Sequence, residues 1–121
     1  MKFLCIEETS ENILKSSFTE ECFAEAVKIL LKTIPLGRVT SYSKIAEIFK
    51  TNPRSIAKVL KENDEPLITP CHRVVHKNGL LGGYTIKGKP QPDIKRKLLL
   101  LEGVDVIDDK IPKKFFVSDL L

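Results

Sequence analysis

Apolar residues recur at helical spacing in four stretches of the chain. The first covers residues 23–34 and stops at Pro35 and Gly37, which predicts an amphipathic helix that ends there. The last covers residues 94–101, with Gly103 placed just beyond its end, where glycine commonly closes a helix.

Two shorter helices are predicted between them. Residues 45–49 carry an apolar stripe of about two turns, with Ser41 or Ser43 available as the cap. Asn52 and Pro53 then predict the start of a third helix, because asparagine caps well and proline suits the first helical position.

This pair of short helices has the outline of a helix-turn-helix. About three residues join them, and the second carries Arg54, Lys58 and Lys61. An ordinary helical hairpin is the commoner structure with such a pattern, so DNA contact stays open on this feature alone.

The remaining chain predicts little regular structure. Residues 66–70 are expected to be extended, because residues before proline avoid the helical region. Residues 74–81 predict a small strand and a turn, and the tail with its apolar residues at 104–116 is expected to pack back on the domain. The fold class expected is mainly α with a small β element, a winged helix-turn-helix-like domain.

Composition indicates one soluble globular domain. The chain has 121 residues, 42% of them hydrophobic, and no apolar run approaches the roughly 18 residues needed to span a membrane. The N-terminal residues offer no signal-peptide core, so an intracellular protein is expected.

Charge is unevenly distributed along the chain. Residues 32–61 carry seven basic side chains and one acidic one, and residues 72–97 carry the same numbers. The short stretch 62–71 between them carries three acidic side chains. Clustered cations favour a polyanion partner, although a solvated basic face would show the same pattern.

Three cysteines make an odd count without C-x-x-C spacing, which argues against a disulfide framework. Cys71 stands out because His72 and Arg73 follow it, and a nearby imidazole or cation favours the reactive thiolate. Cys5 and Cys22 have no comparable neighbours and are interpreted as packing residues.

Two other interpretations of Cys71 remain open from the residues alone. A buried structural cysteine is the more common outcome for such a position. A zinc site with His72 and His76 is disfavoured, because no second ligand pair has a suitable spacing.

The segment 68–75, Ile-Thr-Pro-Cys-His-Arg-Val-Val, closely resembles the active-site motif of the O6-alkylguanine-DNA alkyltransferases. The resemblance covers residues 23–103, about two thirds of the chain. Further matching segments occur in the same order: Gly37 to Tyr42, Asn63, Gly82 to Thr85, Leu98-Leu99 and Glu102-Gly103.

The resemblance implies a single-turnover repair reaction on DNA. An alkyl group on O6 of guanine, and also on O4 of thymine, would be transferred once to Cys71. His72 would act through a water as the base, Glu102 would orient His72, and Asn63 would support them. Tyr84 would hydrogen-bond the guanine as it leaves. A nucleophile, a base and a residue that orients the base form the arrangement of a catalytic triad.

The same resemblance implies how double-stranded DNA is bound. Arg54 would fill the space left by a flipped nucleotide, Tyr42 would lie against its phosphate, and Ala57 would allow close approach to the minor groove. The full set of expected substrate- and DNA-binding residues is Tyr42, Arg54, Ser41, Ala57, Pro66, Arg73, Val74, Gly82 and Thr85. No cofactor, metal or membrane is expected, and the protein is expected to be a monomer.

Some features depart from the family pattern. Residues 1–22 form only a short N-terminal extension before the expected catalytic and DNA-binding domain, 23–121. The stretch 86–92 is lengthened, and Gly83 replaces a commonly polar residue. The alternative functions are a non-catalytic module that binds alkylated DNA and, more remotely, a cysteine hydrolase.

Overall fold

Four helices and three small pairs of strands make up the part of the chain that the structure describes. This computed structural model describes residues 5–8, 14–17, 20–118 and 120, with side chains from Cys22 onward. The helices are α1 (Glu20–Leu31), α2 (Tyr42–Phe49), α3 (Pro53–Lys61) and α4 (Pro92–Leu101). The strands are β1 (Cys5–Glu8), β2 (Leu14–Ser17), β3 (Thr40–Ser41), β4 (Val74–Val75), β5 (Thr85–Ile86) and β6 (Lys89–Pro90).

The mainly α fold with a small β element is confirmed. Within the described residues, no helix combines the length and the apolar character needed to cross a membrane. Helix α1 begins three residues earlier than predicted and leaves helical geometry at Leu31, with Ile34 still buried beyond it. Its inward face is the apolar stripe that the sequence pattern indicated.

The helix-turn-helix is formed by α2 and α3. Ser41 Oγ accepts a hydrogen bond from Lys44 N at 3.0 Å, so Ser41 rather than Ser43 caps α2. Asn52 Oδ1 accepts one from Ser55 N at 3.0 Å and caps α3. Helix α3 buries Ile56, Val59 and Leu60, which leaves its basic face in solvent.

Strand β4 pairs in parallel with β3, with Thr40 opposite Val74 and Ser41 opposite Val75. The predicted turn follows β4 and is closed by a hydrogen bond from His76 N to Leu80 O at 2.8 Å. The sequence pattern indicated the strand but not its partner, since pairing joins segments more than thirty residues apart.

The expectation that residues 66–70 are extended is wrong. Leu67 has a φ of 75°, and Thr69 N donates to Glu65 O at 2.9 Å, so the segment turns sharply. Proline restricts only the residue directly before it, and Leu67 and Ile68 lie outside that restriction. The turn folds the chain back toward Cys71.

The tail packs back on the domain, as predicted. It completes a second apolar cluster of Val39, Val75, Leu99, Val104 and Ile111. Hydrogen bonds from Val39 N to Phe115 O at 2.9 Å and from Val117 N to Val39 O at 2.8 Å fix the tail beside β3. The tail therefore packs beside the β3–β4 strand pair, which is continuous with the segment that carries Cys71.

Candidate active site

Cys71 begins a short 3₁₀ turn, Cys71–Arg73, directly after Pro70. Its thiol is buried and accepts a hydrogen bond from Asn63 Nδ2 at 3.3 Å. The same Nδ2 donates to Thr69 O at 3.1 Å, and Asn63 Oδ1 accepts from Glu65 N at 3.0 Å. Asn63 thus closes the loop 63–71 on itself and fixes where the sulfur lies.

His72 is completely buried, and its Nε2 lies 2.7 Å from Glu102 Oε2. Its other ring nitrogen, Nδ1, is buried and has no hydrogen bond to the described residues. A carboxylate can only accept hydrogen bonds, so we assign the proton of a neutral His72 to Nε2. Nδ1 then carries the free lone pair that a base requires.

The pKa shifts agree with this assignment. Burial lowers the pKa of His72 and outweighs the opposing effect of Glu102, so the neutral ring is favoured. Burial would raise the pKa of Glu102, but hydrogen bonds from Arg73 and then His72 outweigh it, and the pKa is lowered. The pair is therefore a neutral imidazole held by a carboxylate.

Arg73 points away from the pocket and binds the same carboxylate. Its Nε donates to Glu102 Oε1 at 2.9 Å and its Nη2 to Oε2 at 3.0 Å, a bidentate pair. Its Nη1 donates to Ile34 O at 2.9 Å. The guanidinium thus joins α4, the active-site turn and the end of α1.

A cleft of about 310 Å³ opens in front of Cys71. Volumes of this size suit small organic groups. Helix α3 and four residues of the segment 76–85 supply most of its lining, and Tyr42 and Cys71 complete it. The lining residues are Tyr42, Pro53, Arg54, Ala57, Leu60, Lys61, Cys71, His76, Gly83, Tyr84 and Thr85.

Two tyrosine hydroxyls lie beside Cys71 in this cleft. Burial and then the negative charge of a Cys71 thiolate raise the pKa of Tyr42 to about 12. The same two causes, with a hydrogen bond to Cys71 as the third, raise the pKa of Tyr84 to about 12. Both hydroxyls therefore stay protonated at neutral pH and can donate a hydrogen bond.

Lys95 is a buried cation that the sequence pattern did not indicate. Its side chain is completely buried in α4, and Nζ donates to Val74 O at 2.6 Å and to Gly83 O at 3.3 Å. Tyr42 Oη lies 3.5 Å away. The signal was present, because Lys95 stands four residues before the buried Leu99 on the inward face of the helix.

Burial lowers the pKa of Lys95 to about 7, and a negative charge at Cys71 opposes that change. An ammonium in this position attracts the charge of a thiolate. Lys95 therefore joins strand β4 to the 82–84 segment through its hydrogen bonds, and its charge interacts with that of Cys71.

Six of the residues that the sequence singled out line the cleft: Tyr42, Arg54, Ala57, Cys71, Tyr84 and Thr85. The cleft also has five lining residues that sequence reasoning missed: Pro53, Leu60, Lys61, His76 and Gly83. Three of these five share one face of α3 with Ala57, at helical spacing of three and four residues. That spacing could have revealed them.

The structure places the other expected binding residues outside the lining, in supporting positions. Ser41 caps α2, Val74 offers its carbonyl to Lys95, and Pro66 belongs to the turn before the cysteine. Gly82 has a φ of 75°, and a Cβ there would lie 2.9 Å from His76 Nε2. Only glycine suits that close approach.

Cys71 is the free cysteine of the described side chains, whereas Cys22 is disulfide-bonded. The interpretation of Cys22 as a packing residue is therefore wrong, and the side chain of Cys5 lies outside the described residues. Sequence spacing cannot assign a disulfide, because the fold decides which cysteines meet. Within the described part of the chain, no three metal-ligating side chains gather.

Comparison with known proteins gives the family. A model described as "6-O-methylguanine DNA methyltransferase, DNA binding domain" matches residues 22–104. The chain belongs to this family. The methylated-DNA–protein-cysteine methyltransferase of Archaeoglobus fulgidus is 43% identical over 94 residues, which are 74% of this chain and 58% of that relative.

Solved structures share the fold. Mycobacterium tuberculosis OGT in complex with DNA gives a TM-score of 0.59 at 36% identity, covering 67% of this chain and 48% of OGT. S. pombe Atl1, in complex with damaged DNA containing O6-carboxymethylguanine, gives a TM-score of 0.72 at 21% identity. That match covers 85% of this chain and all of Atl1. The chain spans about half the length of the methyltransferases it matches.

Lys95 makes stability depend on pH. The folded-state pKa is about 7 against an ordinary 10.5, so between these values the unfolded chain holds a proton that the folded chain has released. The free energy of unfolding should then rise by roughly 2 kcal/mol from pH 6.5 to 9. Urea unfolding at both pH values measures this rise.

The matched variants are Lys95→Met, which should lose most of the rise, and Lys97→Met, which changes an exposed lysine of the same helix and should keep it. A wild-type protein whose stability is flat or falls over this range would contradict the buried position of the ammonium.

Proposed function

We propose that the chain is a DNA repair protein that transfers one alkyl group from O6 of guanine in double-stranded DNA to Cys71 Sγ. The same reaction would accept O4-alkylthymine. The observation that carries the proposal is the placement of a free thiol in the lining of the cleft, directly followed by the buried His72–Glu102 pair. The names of the methyltransferase relatives support it.

The proposed reaction begins with loss of the thiol proton. His72 Nδ1 takes this proton through a bridging water, and Glu102 holds the imidazolium that forms. Lys95 attracts the resulting thiolate, which makes the charge less costly in a buried site.

Transfer then exchanges one bond for another. Cys71 Sγ forms a bond to the alkyl carbon while the bond from that carbon to O6 breaks. The electron pair stays with the base, and Tyr84 gives its hydroxyl proton to the base, which leaves as neutral guanine. The proton that His72 took from the thiol returns through water to the tyrosine, so the overall reaction moves one proton from Cys71 to the guanine. The thioether has no leaving group that water can displace, so each molecule reacts once.

Access to the target atom requires that the nucleotide leave the base stack, at a cost of a few kcal/mol. Arg54 lies at the mouth of the cleft in the first turn of α3, where it would fill the vacated space. The exposed Ala57 would let α3 approach the groove closely. Tyr42 and Thr85 would contact the flipped nucleotide. The OGT relative, solved in complex with DNA, supports DNA as the partner.

Arg73 takes a different role in this proposal from the one its motif suggested. Since its guanidinium is bound to Glu102 and Ile34 O, we assign it to positioning the His72–Glu102 pair rather than to DNA.

A stoichiometric assay tests the reaction. The wild-type protein, incubated with duplex DNA carrying one O6-methylguanine, should accept one methyl group per molecule, on Cys71, as measured by intact mass and peptide mapping. Cys71→Ala should accept none and still bind the lesion. Repeated turnover, or methylation elsewhere in the chain, would contradict the proposal. Lesion binding by the wild type with an unmodified thiol would instead support the damage-binding alternative.

Arg54→Ala tests nucleotide flipping apart from the chemistry. Its transfer rate from duplex DNA should fall by about tenfold or more, which corresponds to 1.4 kcal/mol of lost stabilisation. Its rate with free O6-benzylguanine should stay the same, because that substrate needs no flipping. Arg96→Ala is the control, an exposed arginine outside the cleft. Equal slowing on both substrates would remove Arg54 from the flipping role.

A further inference from the structure

The lengthened stretch after Tyr84 forms a small hairpin at the edge of the cleft. Thr85 pairs with Pro90 and Ile86 with Lys89, in antiparallel register. We call residues 85–90 the rim hairpin. Its first residue, Thr85, lines the cleft, so the hairpin starts at the cleft wall.

Several features hold the rim hairpin in one conformation. Lys87 and Gly88 at its tip have φ values of 49° and 78°, the pair of positive values that matches the twist of a two-residue hairpin. Gln91 N donates to Tyr84 O at 2.6 Å across its base. Ile86 packs against the main core. A preorganised hairpin loses little entropy when it binds a partner.

The rim hairpin carries two lysines that form no ion pair with the described residues of the protein. Lys87 and Lys89 are exposed, and neither joins any ion pair among the described residues. The sequence from His72 to Pro92 contains no acidic residue. A rigid, basic and unneutralised element of this kind suits a polyanion.

Helix α3 brings further cations to the same cleft, because Arg54 and Lys61 are among its lining residues. If a nucleotide enters the cleft, the backbone of its strand must cross the cleft opening. Its neighbouring phosphates would then pass close to α3 and to Thr85, the residue at which the rim hairpin starts.

We propose that Lys87 and Lys89 of the rim hairpin bind phosphates of the lesion-carrying strand beside the flipped nucleotide. This inference rests on the proposed function, since it takes the cleft as the place where the nucleotide enters. Phosphate contacts position a protein on DNA without reading its sequence, which suits a protein that must examine every guanine. The rim hairpin and α3 would then both contact the strand.

Salt dependence measures these contacts directly. Each phosphate contact on duplex DNA contributes about 0.9 to the slope of log affinity against log salt concentration. Lys87→Ala/Lys89→Ala should therefore lower this slope by roughly 1.8 on undamaged duplex, followed by fluorescence anisotropy over a range of KCl concentrations. The control is Lys32→Ala/Lys113→Ala, which removes two exposed lysines outside the cleft and should leave the slope unchanged.

The position of the contact is tested with neutral methylphosphonates at the phosphates on either side of an O6-methylguanine. The measurement is made in the Cys71→Ala background, which leaves the lesion intact. The methylphosphonates should weaken binding by Cys71→Ala alone and by the control in that background, and weaken it much less in the rim hairpin variant, which has already lost those contacts. Equal slopes for the two double variants, or equal methylphosphonate effects in them, would overturn the proposal.

Transfer from free O6-benzylguanine separates this inference from the proposed function. The rim hairpin variant should react with the free base at the wild-type rate, which shows that the cleft is intact. If the wild type transfers nothing, the proposed function fails, and the salt and methylphosphonate measurements still decide whether the hairpin contacts phosphate. If transfer is normal and the slope does not change, the hairpin inference alone fails.

Discussion

The carboxylate of Glu102 holds the candidate active site together. It accepts hydrogen bonds from the buried imidazole of His72 and from Nε and Nη2 of Arg73, and Nη1 of Arg73 donates to the carbonyl of Ile34. Without this carboxylate, a largely buried guanidinium would lose its counter-charge and the imidazole would lose the partner that fixes its proton. Loss of one partner of such a pair is strongly destabilising. The Glu102 side chain therefore fixes both the local fold and the position of the proton on His72.

Helix α4 supplies charges to two sides of Cys71. Lys95 and Glu102 stand seven residues apart, about two turns, so both project from one face of the helix and its cap. Lys95 holds the carbonyls of Val74 and Gly83, and Glu102 holds His72. The 3₁₀ turn at Cys71 lies against this helix, and the thiol is consequently placed between a cation and a base. Ordinary helical periodicity sets the spacing of the two groups.

Local sequence patterns predicted the features that depend on residues close in the chain, but not the contacts that only the fold brings together. The caps Ser41 and Asn52 and the apolar stripes were predictable, because capping and periodicity act within a few residues. The turn at Leu67 was not predicted, although the contacts that close it lie within residues 63–71. Helical spacing could have placed Lys95 on the inward face, but it could not name the carbonyls of Val74 and Gly83, which the fold brings to the lysine. The active-site motif likewise pointed to Arg73 as a functional residue, but it did not show that the guanidinium would be hydrogen-bonded to Glu102.

The state of His72 is the most direct test of this account. Two-bond ¹H–¹⁵N correlation spectra of ¹⁵N-histidine protein at pH 7, with His76→Gln to assign the signals, report which ring nitrogen carries the proton. The account predicts a neutral ring protonated at Nε2, with Nδ1 bare, because Glu102 accepts from Nε2 and burial lowers the pKa of the ring. A ring protonated at Nδ1 alone, or a fully protonated imidazolium at this pH, would contradict it.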